Sequence, residues 1–133
     1  MMRKLDQRGV AALEFCLVAA PFFILMFAIF DFGRYAITMQ SLRMLANAGA
    51  RAIMISYDVV NKTYIGCTGD YLAVAQKQAI APFLYAGGLT PTVNTAGGAT
   101  ALTVTASQPG FTMLMPIWGT AFTAPSASTS VPF

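Results

Sequence analysis

Histidine is missing from the 133 residues, acidic side chains number only five, and no charged side chain of either sign follows Lys77. Each shortage closes off a class of function. Without histidine the chain lacks the usual general base at neutral pH and the commonest metal ligand. The acids outside the apolar N-terminal run, Asp31, Asp58 and Asp70, are scattered, with no nucleophile-plus-base pair and no metal-ligand spacing among them. The expectation is a protein that is not an enzyme, with no catalytic residues, no metal and no cofactor. Charged residues make up 10 % of the chain and hydrophobic residues 56 %, against about 25 % charged in ordinary soluble proteins. A surface so poor in charge needs cover from lipid or from neighbouring protein.

Cysteine is scarce too. Cys16 lies inside the apolar run and Cys67 well beyond it, so the two are not expected to pair. Cys67 is left as a small, partly buried residue or as one half of an intermolecular disulfide in an oxidising compartment. The net charge of +3 does not point to nucleic acid, because Arg3, Lys4 and Arg8 are gathered directly before the apolar run rather than on the face of a folded domain.

What the sequence does have is one long hydrophobic stretch. Between residues 10 and 30 only Glu14 is charged. At about 1.5 Å of rise per residue, such a helix crosses a hydrocarbon layer about 30 Å thick. The cations Arg3, Lys4 and Arg8 outweigh Asp6 on the inner side, and Asp31 stands just after the run. The positive-inside rule then keeps the N-terminus cytoplasmic and sends residues 31–133 outward, into the periplasm of a Gram-negative cell. Pro21 is tolerated in a bilayer, where it loosens the preceding turn. A cleavable secretory signal is the competing reading, but the run is too long for one and lacks a small-x-small site at a suitable distance.

Glu14 is the discordant residue. Placing an acid inside an apolar span costs about 3 kcal/mol unless something compensates it. Its bland reading is a side chain that snorkels to the cytoplasmic headgroups or is protonated. The surrounding order, Gln7-Arg8-Gly9-Val10-Ala11-Ala12-Leu13-Glu14-Phe15, sets a glycine after basic residues and a glutamate at the fifth place of the apolar run. This resembles the processing site of type IV pilin-like proteins. The continuation Phe30-Asp31-Phe32-Gly33-Arg34-Tyr35 resembles TadE-like pseudopilins of the Tad (tight adherence) pilus. The resemblance is clear over residues 8–55 and faint beyond. It implies cleavage by a membrane prepilin peptidase between Gly9 and Val10, with Glu14 as the fifth residue of the mature chain and Phe15 where the pattern often has tyrosine. It also implies partners: other pilins or pseudopilins and an inner-membrane assembly platform, besides membrane lipid.

The physics of the pattern stands apart from the family. Glycine weakens a helix and lets the chain enter a protease cleft at the membrane face. Cutting there would free an ammonium group on Val10, and in a helix bundle Glu14 of one subunit could neutralise that group on its neighbour. Such pairing would fix axial register, since an unpaired charge at that depth is penalised. Ala11, Ala12, Ala19 and Ala20 permit close helix approach, or are simply helix filler.

Beyond the span the helical period persists. Phe32, Tyr35, Met39, Leu42, Ala46, Ala50 and Ile53 fall on one face, with Gln40, Arg43, Asn47 and Arg51 opposite. Asp31 and Arg34 mark the membrane exit, and their spacing predicts a solvated pair worth a few tenths of a kcal/mol. Asn61-Lys62 and Gly66-Cys67-Thr68-Gly69 read as a connection, after which Thr68 or Asp70 caps a second helix reaching about residue 81. Residues 92–95 and 100–107 read as strands, joined by a hairpin turn over 94–98, and residues 123–133 as an edge strand or a loose tail. Residues 111–122 are apolar but interrupted by Pro116 and Gly119, so they predict packing against the helix or a contact surface for another subunit rather than a second span.

The expected fold class is α+β: a long transmembrane-plus-amphipathic helix followed by a small periplasmic domain with a second helix and a short antiparallel sheet. The segments are a basic leader over 1–9, a membrane span over 10–30, an amphipathic extension over 31–56 and the outer domain over 57–133. Two functions compete: a minor pilin or pseudopilin that is cleaved and joins a Tad-type pilus or its platform, and an unprocessed, membrane-anchored binding module.

Overall fold

The computed structural model of the protein describes residues 7–55, 57–58, 63–64, 69–97 and 100–132. Arg3, Lys4 and Cys67 lie outside the described residues, as does the side chain of Arg8. The fold is α+β. Helix α1 is continuous over Gln7–Ile55, 49 residues, or about 70 Å of helix. It passes through Pro21 without interruption, although proline has no N–H to give the carbonyl one turn earlier.

Two short strands follow, β1 (Tyr57–Asp58) and β2 (Thr63–Tyr64), paired antiparallel. Helix α2 covers Val74–Ile80 and leads into a 3₁₀ segment, Pro82–Gly88. Strands β3 (Thr92–Gly97), β4 (Ala101–Ser107) and β5 (Ser126–Pro132) form an antiparallel sheet in the order β3-β4-β5. Thr92 pairs with Ser107 and Gly97 with Leu102, so the β3–β4 connection falls at 98–100 rather than over 94–98. Thr95 and Ala96 stay in the ladder because the β-branched run on β4 offers them partners throughout, opposite Val104 and Thr103. The last strand is the edge strand that the C-terminal pattern offered as one of two outcomes.

The sheet lies on the outer half of α1, and the core forms between them. Leu42, Leu45, Ala46, Ala50 and Ile53 of the helix meet Val93, Val104, Ala106 and Val131 of the sheet, with Ala81 and Leu84 closing one side. On β4 the alternation holds, since Val104 and Ala106 are fully buried. The buried face of α1 is wider than the apolar period alone indicates, because Thr38, Ser41 and Gly49 are buried with it. Gly49 is there for space. A Cβ at that position would lie 2.6 Å from Tyr71 Oη and 3.0 Å from Val104 Cγ1, so the close approach of helix and sheet needs a residue without a side chain.

Helix α2 starts later than its capping residues suggested. Ala73, not Thr68 or Asp70, precedes its first turn, and Gln76 Oε1 accepts the Ala73 N–H at 3.3 Å. Asp70 is engaged elsewhere: its carboxylate receives the Lys77 ammonium at 3.0 and 2.8 Å. Lys77 is buried, and a buried ammonium without a counter-ion would cost several kcal/mol, on the order of the penalty for any uncompensated interior charge.

Between β4 and β5 the chain makes one long loop with its ends pinned together. Gln108 N–H donates to the Pro125 carbonyl at 3.0 Å and Ala124 N–H to the Phe111 carbonyl at 3.2 Å. A compact loop closed in this way is held by its own side chains and by what it lands on. It lands on α1 at the start of the helix's outer half.

Candidate functional site: the bare helix and its exit

Among the described residues, none between Gly9 and Phe30 is buried. The most apolar window of α1 has no buried residue, and the helix is long and apolar enough to cross a membrane. Leu13, Phe15 and Leu17 are each 70 % or more exposed. A water-soluble protein would not leave such a continuous apolar surface open, and the segment fits a single-pass membrane anchor.

The sequence-predicted processing residues sit at the start of this bare segment. Gly9 and Val10 are both helical and exposed, and a Cβ built on Gly9 would meet no atom within 4 Å. Packing within the chain therefore gives no reason for a glycine there, in contrast to Gly49. The expected cleavage position is helical rather than extended. Among the described residues α1 runs from Gln7. Glu14 and Phe15 are exposed on the same bare surface. Glu14 lies one turn beyond Val10, about 6 Å along the axis. Cys16 is a free thiol, also exposed.

The exit residues differ from their expected state. Asp31 is completely buried, not solvated. Its Oδ1 accepts the Leu114 N–H at 2.9 Å and its Oδ2 the Met115 N–H at 2.8 Å. Arg34 is a minor partner, with Nη1 3.8 Å from Asp31 Oδ1 and the guanidinium 5.5 Å from the centre of the Phe111 ring. Burial alone would raise the Asp31 pKa. The two backbone N–H donors, the nearby Trp118 indole and the Arg34 charge outweigh it, and hold the carboxyl below its ordinary value. The indole Nε1 is buried close to the carboxylate but falls outside hydrogen-bond geometry. The cover over Asp31 is one layer deep, since Leu114 and Ile117 beside it are 67 % and 63 % exposed.

Aromatic rings complete the junction. Phe32 meets Trp118 edge-on at 4.7 Å between centroids, and Tyr35 meets Phe122 at 5.2 Å. Phe111 is buried yet stands apart from the main core, against Tyr35 at 6.3 Å. Residues 111–122 thus pack on the helix, as their apolar character predicted, but on its exit rather than on the sheet's core. Sequence reasoning missed Asp31 as their anchor. The available signal was an acid at the edge of an apolar run, in a chain whose aromatic 111–122 stretch has no charge of its own.

A cleft of about 270 Å³ adjoins the junction, lined by Arg34, Thr38, Phe83, Leu89, Gln108 and Phe111 among others. Thr38 Oγ1 donates to the Arg34 carbonyl at 2.8 Å and Gln108 Nε2 to the Leu84 carbonyl at 2.8 Å, whereas Arg34 Nη1 and Gln108 Oε1 are buried without a hydrogen-bond partner. Among the described residues no three His, Cys, Asp or Glu side chains gather in a metal-binding arrangement.

Compared with known proteins, the chain matches the family model described as TadE-like protein over residues 9–51. No curated protein and no solved structure matches it. The matched segment takes in the glycine, the bare apolar run with its glutamate, and most of the helix that carries the sheet. Residues 9–51 are thus similar to the corresponding segment of TadE-like proteins.

Proposed function

We propose that the chain is a minor pilin or pseudopilin, cut by a prepilin peptidase between Gly9 and Val10, whose bare helix then packs among other pilin helices in a Tad-type pilus or its inner-membrane platform. The role is structural, without catalysis. The observation that carries this reading is that, among the described residues, the most apolar window of α1 has no buried residue. Lipid can cover it before assembly and neighbouring helices afterwards.

Cleavage suits the local geometry. Gly9 lowers the cost of unwinding the helix at the cut by about 1 kcal/mol relative to alanine. The cut leaves Val10 as an ammonium terminus one turn below Glu14. Glu14 gains from the positive end of its own shortened helix, and more from the terminus of an adjoining subunit, where both charges would otherwise stand unpaired in an apolar layer. Arg3, Lys4 and Arg8 leave with the leader after setting the N-terminus on the cytoplasmic side of the inner membrane.

Mass spectrometry of the intact protein from host membranes tests the cut: the expected N-terminus is Val10, and a chain still carrying residues 1–9 in cells with an active peptidase overturns it. Glu14→Ala should be processed normally yet be lost from assembled fibres or platform. An uncut chain whose outer domain binds an envelope partner without pilus machinery would favour the membrane-anchored binding module instead.

A further inference from the structure

The outer end of the apolar helix meets a second apolar element that the family match at residues 9–51 does not reach. Asp31 stands one residue past the span, and its two carboxylate oxygens hold the backbone at Leu114 and Met115. Trp118 meets Phe32, the next helix residue, edge-on. The tip of the β4–β5 loop is therefore fixed at the height where the helix leaves the hydrocarbon layer, because residues 10–30 use up about 30 Å of rise. At that height it exposes Leu114 and Ile117, at 67 % and 63 %. No charged residue lies anywhere between Lys77 and Phe133 to repel an apolar medium.

We propose that this loop tip, residues 114–118, is a second membrane contact, with Leu114 and Ile117 seated in the outer boundary layer of the lipid beside the helix. Three features agree on lipid as the occupant. The exposed aliphatics continue the surface of the bare helix, which is itself apolar and uncovered. An indole is placed among them, at the level where tryptophan is favoured in membranes. The loop offers no charge with which to select a headgroup, so the contact is with the acyl boundary of any bilayer. A loop held this way would stop the outer domain from swinging about the helix exit and would set its tilt on the membrane. Moving the helix out of the bilayer would then require lifting the loop from the lipid as well.

The inference rests on residues 10–30 being the span, and one preparation separates the two claims. Trp118 is the single tryptophan, so intrinsic fluorescence of the full chain in phosphatidylcholine vesicles reports this loop alone. Lipids brominated near the glycerol end of their chains should quench most of the emission, and lipids brominated near the methyl end much less. Aqueous acrylamide should quench poorly, and Leu114→Ser with Ile117→Ser, both at exposed positions, should reverse the pattern. Protein that resists alkaline extraction but shows acrylamide quenching without bromolipid quenching overturns the loop contact and leaves the span intact. Protection that appears only at high protein-to-lipid ratio overturns it too, in favour of a contact between copies. Release of the protein at alkaline pH removes the span, and the loop contact with it.

Discussion

Residues 10–30 and residues 31–55 belong to one unbroken helix and are both rich in alanine, leucine and isoleucine. In the first, large apolar side chains point away from the chain on every side; in the second, one face is fully buried against a sheet while Gln40, Arg43, Asn47 and Arg51 remain outside. The difference lies in what interrupts the apolar residues. Polar residues on one side of the outer half leave a single face to bury, which a sheet can cover. The inner half has no polar side except Glu14, so no single partner of its own chain could satisfy it. A helix hydrophobic all round must be buried all round, by lipid or by other helices.

Substitutions in the two halves should therefore separate cleanly, and thermal unfolding of the detergent-solubilised chain, followed by Trp118 fluorescence, can rank them. The largest loss is expected at the seam. Asp31→Ala leaves two part-buried N–H groups without their charged acceptor and should cost about 3 kcal/mol, loosening residues 111–122 first. The same contact depends on pH. Because the folded pKa of Asp31 lies below its ordinary value, its contribution is present in full above about pH 4 and disappears as pH falls through the folded value. In Asp31→Asn this acid-dependent step should be absent. Next comes Gly49→Leu in the outer half, which forces Tyr71 and Val104 away and should cost about 2 kcal/mol. The smallest effect belongs to Leu13→Ala or Leu17→Ala in the inner half, below about 0.5 kcal/mol, as for surface positions without special contacts. A large loss from either would mean that the inner half has a partner within its own chain.

The parts of this fold that could be read from residue order are those governed by local repetition. The three-and-four spacing along α1 and the alternation of Leu102, Val104 and Ala106 each report a face, and a face is a local property. Gly9, Val10 and Glu14 lie within one and a half turns, so the pattern they form is local as well. Distance in sequence defeated the rest. Asp31 read as a solvated half of an exit pair because Arg34 is its neighbour, whereas its real partners are Leu114 and Met115, more than eighty residues away. Asp70 read as a helix cap, yet Ala73 stands at that position and the Asp70 carboxylate receives the buried ammonium of Lys77 instead. Gly49 carried no mark of its purpose until Tyr71 and Val104 were placed against it.

Lys77 holds the last side-chain charge of the chain, and it is turned inward. Beyond it, everything the outer domain presents to its surroundings is hydroxyl, amide, methyl or ring. Neighbours that meet that surface have no Coulombic handle on it, so such contacts would tolerate wide swings in ionic strength. Added salt would screen nothing there, and a structure built on this face could pass between fresh and saline surroundings with its joints unchanged.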